Sequence, residues 1–216
     1  TIAFDPSGTA LYVGGQWTTS VGGVANTVRI AKYTLPSSGV SGGTWTALGT
    51  GMNGTVKALA RGADGALYAG GSFGTADGLA ANRFAVCVND LVWSPAGGDG
   101  TDGGGVTGGD VETVLVLPSG EVAVGGAFTA VKDALVGTLG ANMALWHPGS
   151  LGGSGWWTHG EVVFPAATTV LSLTLDHNRN LWVGFNTSGS GSYPARTTVT
   201  SSGMGGAFLS YPKLYC

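Results

Sequence analysis

Charge is what this sequence has least of. Only 10% of its 216 residues are charged, under half of the share of about 25% usual in globular chains. Nine Lys+Arg against 12 Asp+Glu leave a formal charge of −3. The basic residues never cluster, which argues against a phosphate-backbone binder, so no nucleic-acid partner is expected. Cysteine is nearly absent. Cys87 and Cys216 can make one bridge at most, and no metal-type or C-x-x-C spacing exists. Cys87, inside the apolar run 83–88, reads as a small buried hydrophobe. No apolar run approaches the roughly 18 residues of a membrane helix, so no membrane insertion is expected. Signal-peptide and lipidation motifs are missing. An initiator Met is missing as well, and Thr1-Ile2-Ala3-Phe4 already reads as strand. The chain is therefore expected to be a processed or excerpted piece of a longer one. Helical periodicity is absent too: no window carries apolar residues at i, i+3, i+4 and i+7 over a helix length.

Glycine is what the chain has instead, at 41 residues against an average near 7%. It lacks a G-X-Y period, which excludes collagen. A hydrophobic share of 43% with seven Trp excludes disorder. Length sets one domain, 1–216, as the default, and a chain of this size buries enough surface to fold without staples.

The sequence repeats. Leu11-Tyr12-Val13-Gly14-Gly15 recurs as Leu67-Tyr68-Ala69-Gly70-Gly71 and as Val122-Ala123-Val124-Gly125-Gly126. A fourth copy, Leu181-Trp182-Val183-Gly184-Phe185, has lost its second glycine. A turn dipeptide precedes each copy: Ser7-Gly8, Asp64-Gly65, Ser119-Gly120 and Arg179-Asn180. An aromatic follows the doublet in three copies, as Trp17, Phe73 and Phe128. Further on come Asn26, Asn82 and Arg196 at one shared offset, and Asn142 after an insertion. The units run approximately 1–55, 56–110, 111–169 and 170–216.

Each unit divides into strand-sized pieces a to d. In the second, 56–60 is strand a, 62–65 a hairpin turn, 67–71 strand b and 83–88 strand c. Strand d is clearest in the first unit at 44–48, and the second unit, with 99–109 almost all glycine and small polar residues, lacks a good one. Four antiparallel strands in some 55 residues exceed the roughly 40–45 of a WD unit and approach the roughly 50 of a kelch unit. One such sheet cannot bury both faces, so copies must stack. Glycine doublets then allow close backbone approach, and rings such as Trp45 or Phe73 fill the wedge between sheets. The expectation is an all-β, kelch-like β-propeller of about four four-stranded blades, or a sector of a larger one. Ring closure is expected from a strand at 207–211 pairing beside 1–4.

The doublet with Tyr33 and Trp45 downstream resembles the kelch pattern. The run Trp45-Thr46-Ala47-Leu48-Gly49-Thr50-Gly51-Met52-Asn53-Gly54-Thr55-Val56, followed by the second doublet and Ala81-Asn82, is similar to a repeat class of bacterial-surface and phage-associated proteins. It also resembles the propeller of fungal cortical markers and the delta-60 repeats. The resemblance covers nearly the whole chain and is fullest over 11–88. It implies a propeller and display on an extracellular or virion surface; it implies no reaction.

Strand parity puts the a–b and c–d connections at one end and b–c and d–a at the other. The c–d loops are read as 36–43, 94–109 and 148–155. The b–c loops start at Gln16, Ser72, Ala127 and Asn186, the third enlarged around Val131-Lys132-Asp133. Loops that vary on a repeating scaffold are where binding sits, which makes Lys132 and Asp133 candidate contact residues, with neutral decoration the competing reading. Trp156-Trp157 could stack on sugar rings; alternation instead sends one ring into the blade interface. Asp99 and Asp102 partly match a calcium nonapeptide, but a lone copy reads as a surface loop, so no cofactor is expected beyond that calcium candidate. Gly14, Gly15, Gly70, Gly71, Gly125, Gly126 and Gly184 read as structural. His147, His159 and His177 have no ligand spacing, and Asp110 and Glu112 have no reason to share a proton. No nucleophile, phosphate-loop or zinc signature occurs. The reading is a non-enzymatic structural and interaction module contacting other protein subunits or surface glycan. The alternatives are the propeller of a secreted carbohydrate-active enzyme and a dedicated glycan- or receptor-binding module.

Overall fold

A computed structural model describes residues 1–37, 41–97, 103–133, 137–139, 141–149, 155–157, 168–187, 192–198 and 209–210. Among them there is no helix, and hence none long and apolar enough to cross a membrane. The chain is all-β. Sheet I holds β1 (Ile2–Phe4), β2 (Ala10–Gly14), β3 (Ile30–Thr34) and β4 (Thr44–Thr46). Sheet II holds β5 (Val56–Arg61) and β6 (Leu67–Gly71), then, beyond a small hairpin of β7 (Thr75–Ala76) and β8 (Leu79–Ala80), β9 (Phe84–Val88) and β10 (Val92–Pro95). After β11 (Val106–Thr107), sheet III is formed by β12 (Val111–Val116) and β13 (Val122–Gly126). Its remaining strands follow β14 (Ala130–Asp133) and β15 (Gly137–Leu139): they are β16 (Met143–His147) and β17 (Gly155–Trp157). Sheet IV is β18 (Thr168–Leu175), β19 (Asn180–Thr187), β20 (Ser192–Thr198) and β21 (Leu209–Ser210). Each of the four is an antiparallel meander whose strands pair in chain order. None closes on itself.

Side-chain alternation decides how the sheets combine. In β6, Leu67 and Ala69 point to sheet I, in one apolar cluster with Tyr12, Ile30 and Leu48. Tyr68, between them, points the other way, into a second cluster with Val122, Val124 and Trp146 of sheet III. Sheet III repeats the division: Ala123, Met143 and Leu145 turn to a third cluster with Leu173, Leu181 and Val183 of sheet IV. Three cores therefore lie between consecutive sheets, and the two middle sheets are covered on both faces. Every residue of β6 and β13 is buried, whereas β2 alternates buried and half-buried. A period-2 strand with two apolar sides reads as a continuous hydrophobic run, and such a sheet is stable only between neighbours. The first strands of successive sheets pack side by side, β1 with β5, β5 with β12 and β12 with β18.

The first glycine of each doublet is explained by that packing. A methyl group on Gly14, Gly70 or Gly125 would overlap the side chain of Val56, Val111 or Val170 respectively. These valines belong to the next sheet's first strand; Val56 and Val111 open theirs, and Val170 is the third residue of β18. Each is followed by a one-residue bulge, at Lys57, Glu112 and Leu171. The second glycine meets backbone instead: a Cβ at Gly71 or Gly126 would strike the carbonyl of Thr55 or Asp110. The doublet is thus one seat for the neighbouring sheet and one for the sheet's own entry.

Four details depart from the sequence expectation. The second unit does have a strand d, β10, which pairs with β9. It follows a turn at Asn89 and Asp90, both at positive φ, a conformation these short polar side chains tolerate. Residues 94–109 are therefore not a c–d loop; beyond Pro95 they lead into the third unit. In the fourth unit β19 continues to Thr187 and β20 resumes at Ser192, so Arg196 stands inside a strand opposite Trp182 and is not a loop mark. Within the expected closing segment 207–211, the described Leu209–Ser210 pairs with β20 as the fourth strand of sheet IV and not with 1–4. Finally, β18 begins at Thr168, just ahead of the expected boundary at 170.

The seat can be tested by a double-mutant cycle. Gly70→Ala is expected to cost about 1–3 kcal/mol by overpacking, measured by urea unfolding. Val111→Ala makes room for the added methyl, so the double variant should be more stable than the two single losses add to. Strict additivity would mean that Gly70 is not the seat of Val111.

Candidate functional site

The groups able to do chemistry lie mostly at the seams between sheets. At the first seam, Asp90, in the turn after β9, faces Tyr12 and Lys32 of sheet I and Arg61 at the end of β5. The Tyr12 hydroxyl donates to both carboxylate oxygens at 2.8 Å. Lys32 Nζ stands at 2.7 Å and Arg61 Nη1 at 2.9 Å. Arg61 also lies 3.6 Å from Asp5 and 4.8 Å from the Tyr12 ring centroid, over whose face it spreads its charge. Burial alone would raise the carboxyl of Asp90, but the Lys32 and Tyr12 hydrogen bonds and the Arg61 charge outweigh it and hold it below the usual range. Burial and the Asp90 hydrogen bond push the Tyr12 phenol well above its ordinary value. A phenol held protonated against a fully paired carboxylate is a clamp and offers no free base.

At the second seam Lys57, the bulge residue of β5, reaches across to sheet III. It pairs with Asp110 at 2.9 Å and with Glu112, the bulge residue of β12. Arg83 Nε stands 3.4 Å from the other oxygen of Asp110. Burial pulls the Lys57 ammonium down, and the hydrogen bonds it donates to Glu112 and Asp110 more than restore it, so its affinity for the proton is raised. Asp110 and Glu112 thus share one lysine. As pairs that are roughly one-quarter to one-third exposed, they contribute modestly to stability and more to alignment.

In a third set of cross-unit contacts, the sequence marked Asn142 and missed Arg29 and Arg83. Arg29, Arg83 and Asn142 each stand just before the third main strand of their sheet, all at positive φ. Their carbonyls accept from the second glycine of the doublet, Gly15, Gly71 and Gly126. Their side chains donate to the segment that leads into the next sheet: Arg29 to Met52 O at 2.9 Å, Arg83 to Val106 O at 3.4 Å, and Asn142 to Thr168 O at 2.7 Å. The shared offset from the glycines had picked Asn26 and Asn82 instead, because it counts from the second strand; the structural position is fixed by the third.

Tryptophan supplies the fourth repeated contact. Trp93 Nε1 donates to Leu48 O at 3.1 Å and Trp156 Nε1 to Ala96 O at 2.9 Å. Both rings come from the fourth strand of a sheet, and both acceptors lie just past the fourth strand of the sheet before. Trp156, one of the two candidate sugar-stacking rings, is buried, 5.2 Å from Phe84 and 5.3 Å from Trp146 between ring centroids. It serves the seam and offers no open face to a sugar. Trp157 pairs with Leu145 through its backbone. Lys132 lies in β14 and its amide bonds Gly105 O, tying the enlarged loop to the strand segment before β12. The side chains of Asp133 and Trp157 lie outside the described residues, as do Asp99, Asp102 and His159. Among the described residues no group of three His, Cys, Asp or Glu side chains stands close enough to hold a metal. Cys87 is buried, and that burial, with Asp90 near, pushes its thiol up to about 12.

Two outcomes follow. Asp90 has its folded pKa depressed, so its stabilisation is complete above the unfolded value of about 3.9 and is lost as pH falls through the folded value. Asp90→Asn should lower stability at neutral pH by about 1–3 kcal/mol and flatten the acid limb of a stability–pH curve. An unchanged acid limb would place the carboxylate outside the clamp. Cys87, neutral and enclosed, should resist a thiol reagent in the native protein at pH 8 and react on unfolding in urea; rapid native labelling would contradict the burial.

Compared with protein-family models, with curated proteins and with solved structures, the chain matches none.

Proposed function

We propose that this chain is a structural and interaction module: a sector of a kelch-like β-propeller, displayed on an extracellular or virion surface, whose loop-bearing ends meet other protein subunits or glycan. The observation that carries this reading is the repeated seam. Three times over, a glycine seats the next sheet's valine, and each time the residue before the third strand bonds the next unit's entry segment. First strands set side by side along the stack support a radial arrangement with those strands innermost. A sector rather than a self-closed ring is favoured by Ile2 and Phe4, which are 58% and 67% exposed on the far face of sheet I.

Charge supports the non-catalytic half of the reading. Lys32 with Asp90, Arg61 with Asp5, and Lys57 with Asp110 and Glu112 are engaged across seams, and Arg61 also pairs with Asp90 within sheet II. The connection after the second strand varies from unit to unit, being a loop in sheet I, the β7–β8 hairpin in sheet II and the β14–β15 pair in sheet III. Variable loops on a constant frame are the usual seat of recognition.

A paired assay on the intact chain tests this. Oligosaccharides are screened for turnover and a glycan array for binding, with Asp110→Asn and Lys132→Ala variants alongside. The reading predicts no turnover, and any binding to fall in Lys132→Ala before it falls in Asp110→Asn. Hydrolysis that disappears in Asp110→Asn would overturn it in favour of a carbohydrate-active enzyme.

A further inference from the structure

The two ends of the stack present the two halves of the seam that is used three times inside it. On the far face of sheet I, Ile2, Leu11 and Val13 occupy the register positions of Leu59, Leu67 and Ala69 in sheet II. In sheet II those residues are buried by sheet I; in sheet I Leu11 and Val13 are half-buried and Ile2 is exposed. Trp45 pairs with Tyr33 as Trp93 pairs with Cys87 and Trp156 with Trp146. It holds the position from which the other two reach back to a carbonyl of the preceding sheet. On the far face of sheet IV, Thr174, Trp182 and Gly184 occupy the positions of Ala60, Tyr68 and Gly70, which meet sheet III. Among the described residues a methyl group on Gly184 would first meet Ser172 of its own sheet, where Gly70 and Gly125 carry a neighbour's valine.

We propose that the far face of sheet I binds the far face of sheet IV of a second copy of this chain, continuing the internal seam from one molecule to the next. The occupant is argued from continuity of an interface the chain already builds three times, and from the presence of both complementary halves on one molecule. Its own sheet IV is not the occupant in this fold, since Ile2 and Phe4 stay exposed. Head-to-tail contact of two different faces is heterologous, so it closes into a ring if the rotation allows and otherwise extends into a chain. The proposal deepens the reading of a structural module and rests on it.

Sedimentation velocity of the intact chain across a wide concentration range tests this. Wild type is expected to run at the mass of two copies or more. Phe4→Lys and Thr174→Lys alter exposed positions on the two ends, so each alone should fold with an unchanged melting temperature and run as a monomer. Each retains one good half, and mixing the two variants should restore a dimer. Ile2→Lys stands in for Phe4→Lys if that variant does not fold. A wild-type monomer at every concentration would overturn the proposal, as would assembly that both variants leave intact or a mixture that stays monomeric. Any of these would leave the structural reading standing, since that fails on turnover and this on mass.

Discussion

A four-stranded sheet that is apolar on both sides has nowhere to exist except between two others, and sheets II and III are such sheets. Leu67 and Tyr68 are adjacent in sequence and enter different cores, so the fold is cooperative across seams rather than around one centre. That constraint sets the composition. The first glycine of each doublet is required because the second strand must let the next sheet's valine sit on its backbone, many of the other glycines stand at positive φ in turns and loops, and charge is scarce because both faces of the middle sheets are spent on packing. Several of the few charges kept sit at the seams, where Asp90 and Lys57 join one sheet to the next.

Much of this was legible in the sequence, for one reason. Packing that repeats in space repeats along the chain, so the glycine doublets, the turn dipeptides and the all-β class were all readable from spacing. What was not readable depends on local turn chemistry or on distance. Strand β10 was missed because the Asn89–Asp90 turn brings it back so soon that the third and fourth strands merge into one apolar stretch. Arg29 and Arg83 were passed over because loops of unequal length separate them from the glycines. The Tyr12–Asp90 clamp joins residues 78 positions apart, beyond any local pattern. Trp156 illustrates the converse: the alternation rule sent one ring of the pair into the interface, and the structure buries that ring.

The seam also ties fold to function. The repeated glycine, tryptophan and pre-strand contacts hold sheets together, and the connections after the second strand differ between units. A frame of this kind presents loops at fixed spacing and gains stability with each added neighbour. Paired charges, tryptophan-to-carbonyl bonds and seated valines fix how one sheet meets the next. The structural role proposed for the chain and the copy-to-copy contact proposed for its ends draw on that single device.

Native-state hydrogen exchange measures that device most directly, at a concentration where the chain is monomeric. If sheets are stabilised chiefly by neighbours on both faces, the amides of β6 and β13 should exchange slowest and at similar rates, with those of β2 and β19 exchanging faster. Equal protection in all four second strands, or the strongest in β2 or β19, would contradict the claim that each sheet depends on the ones beside it.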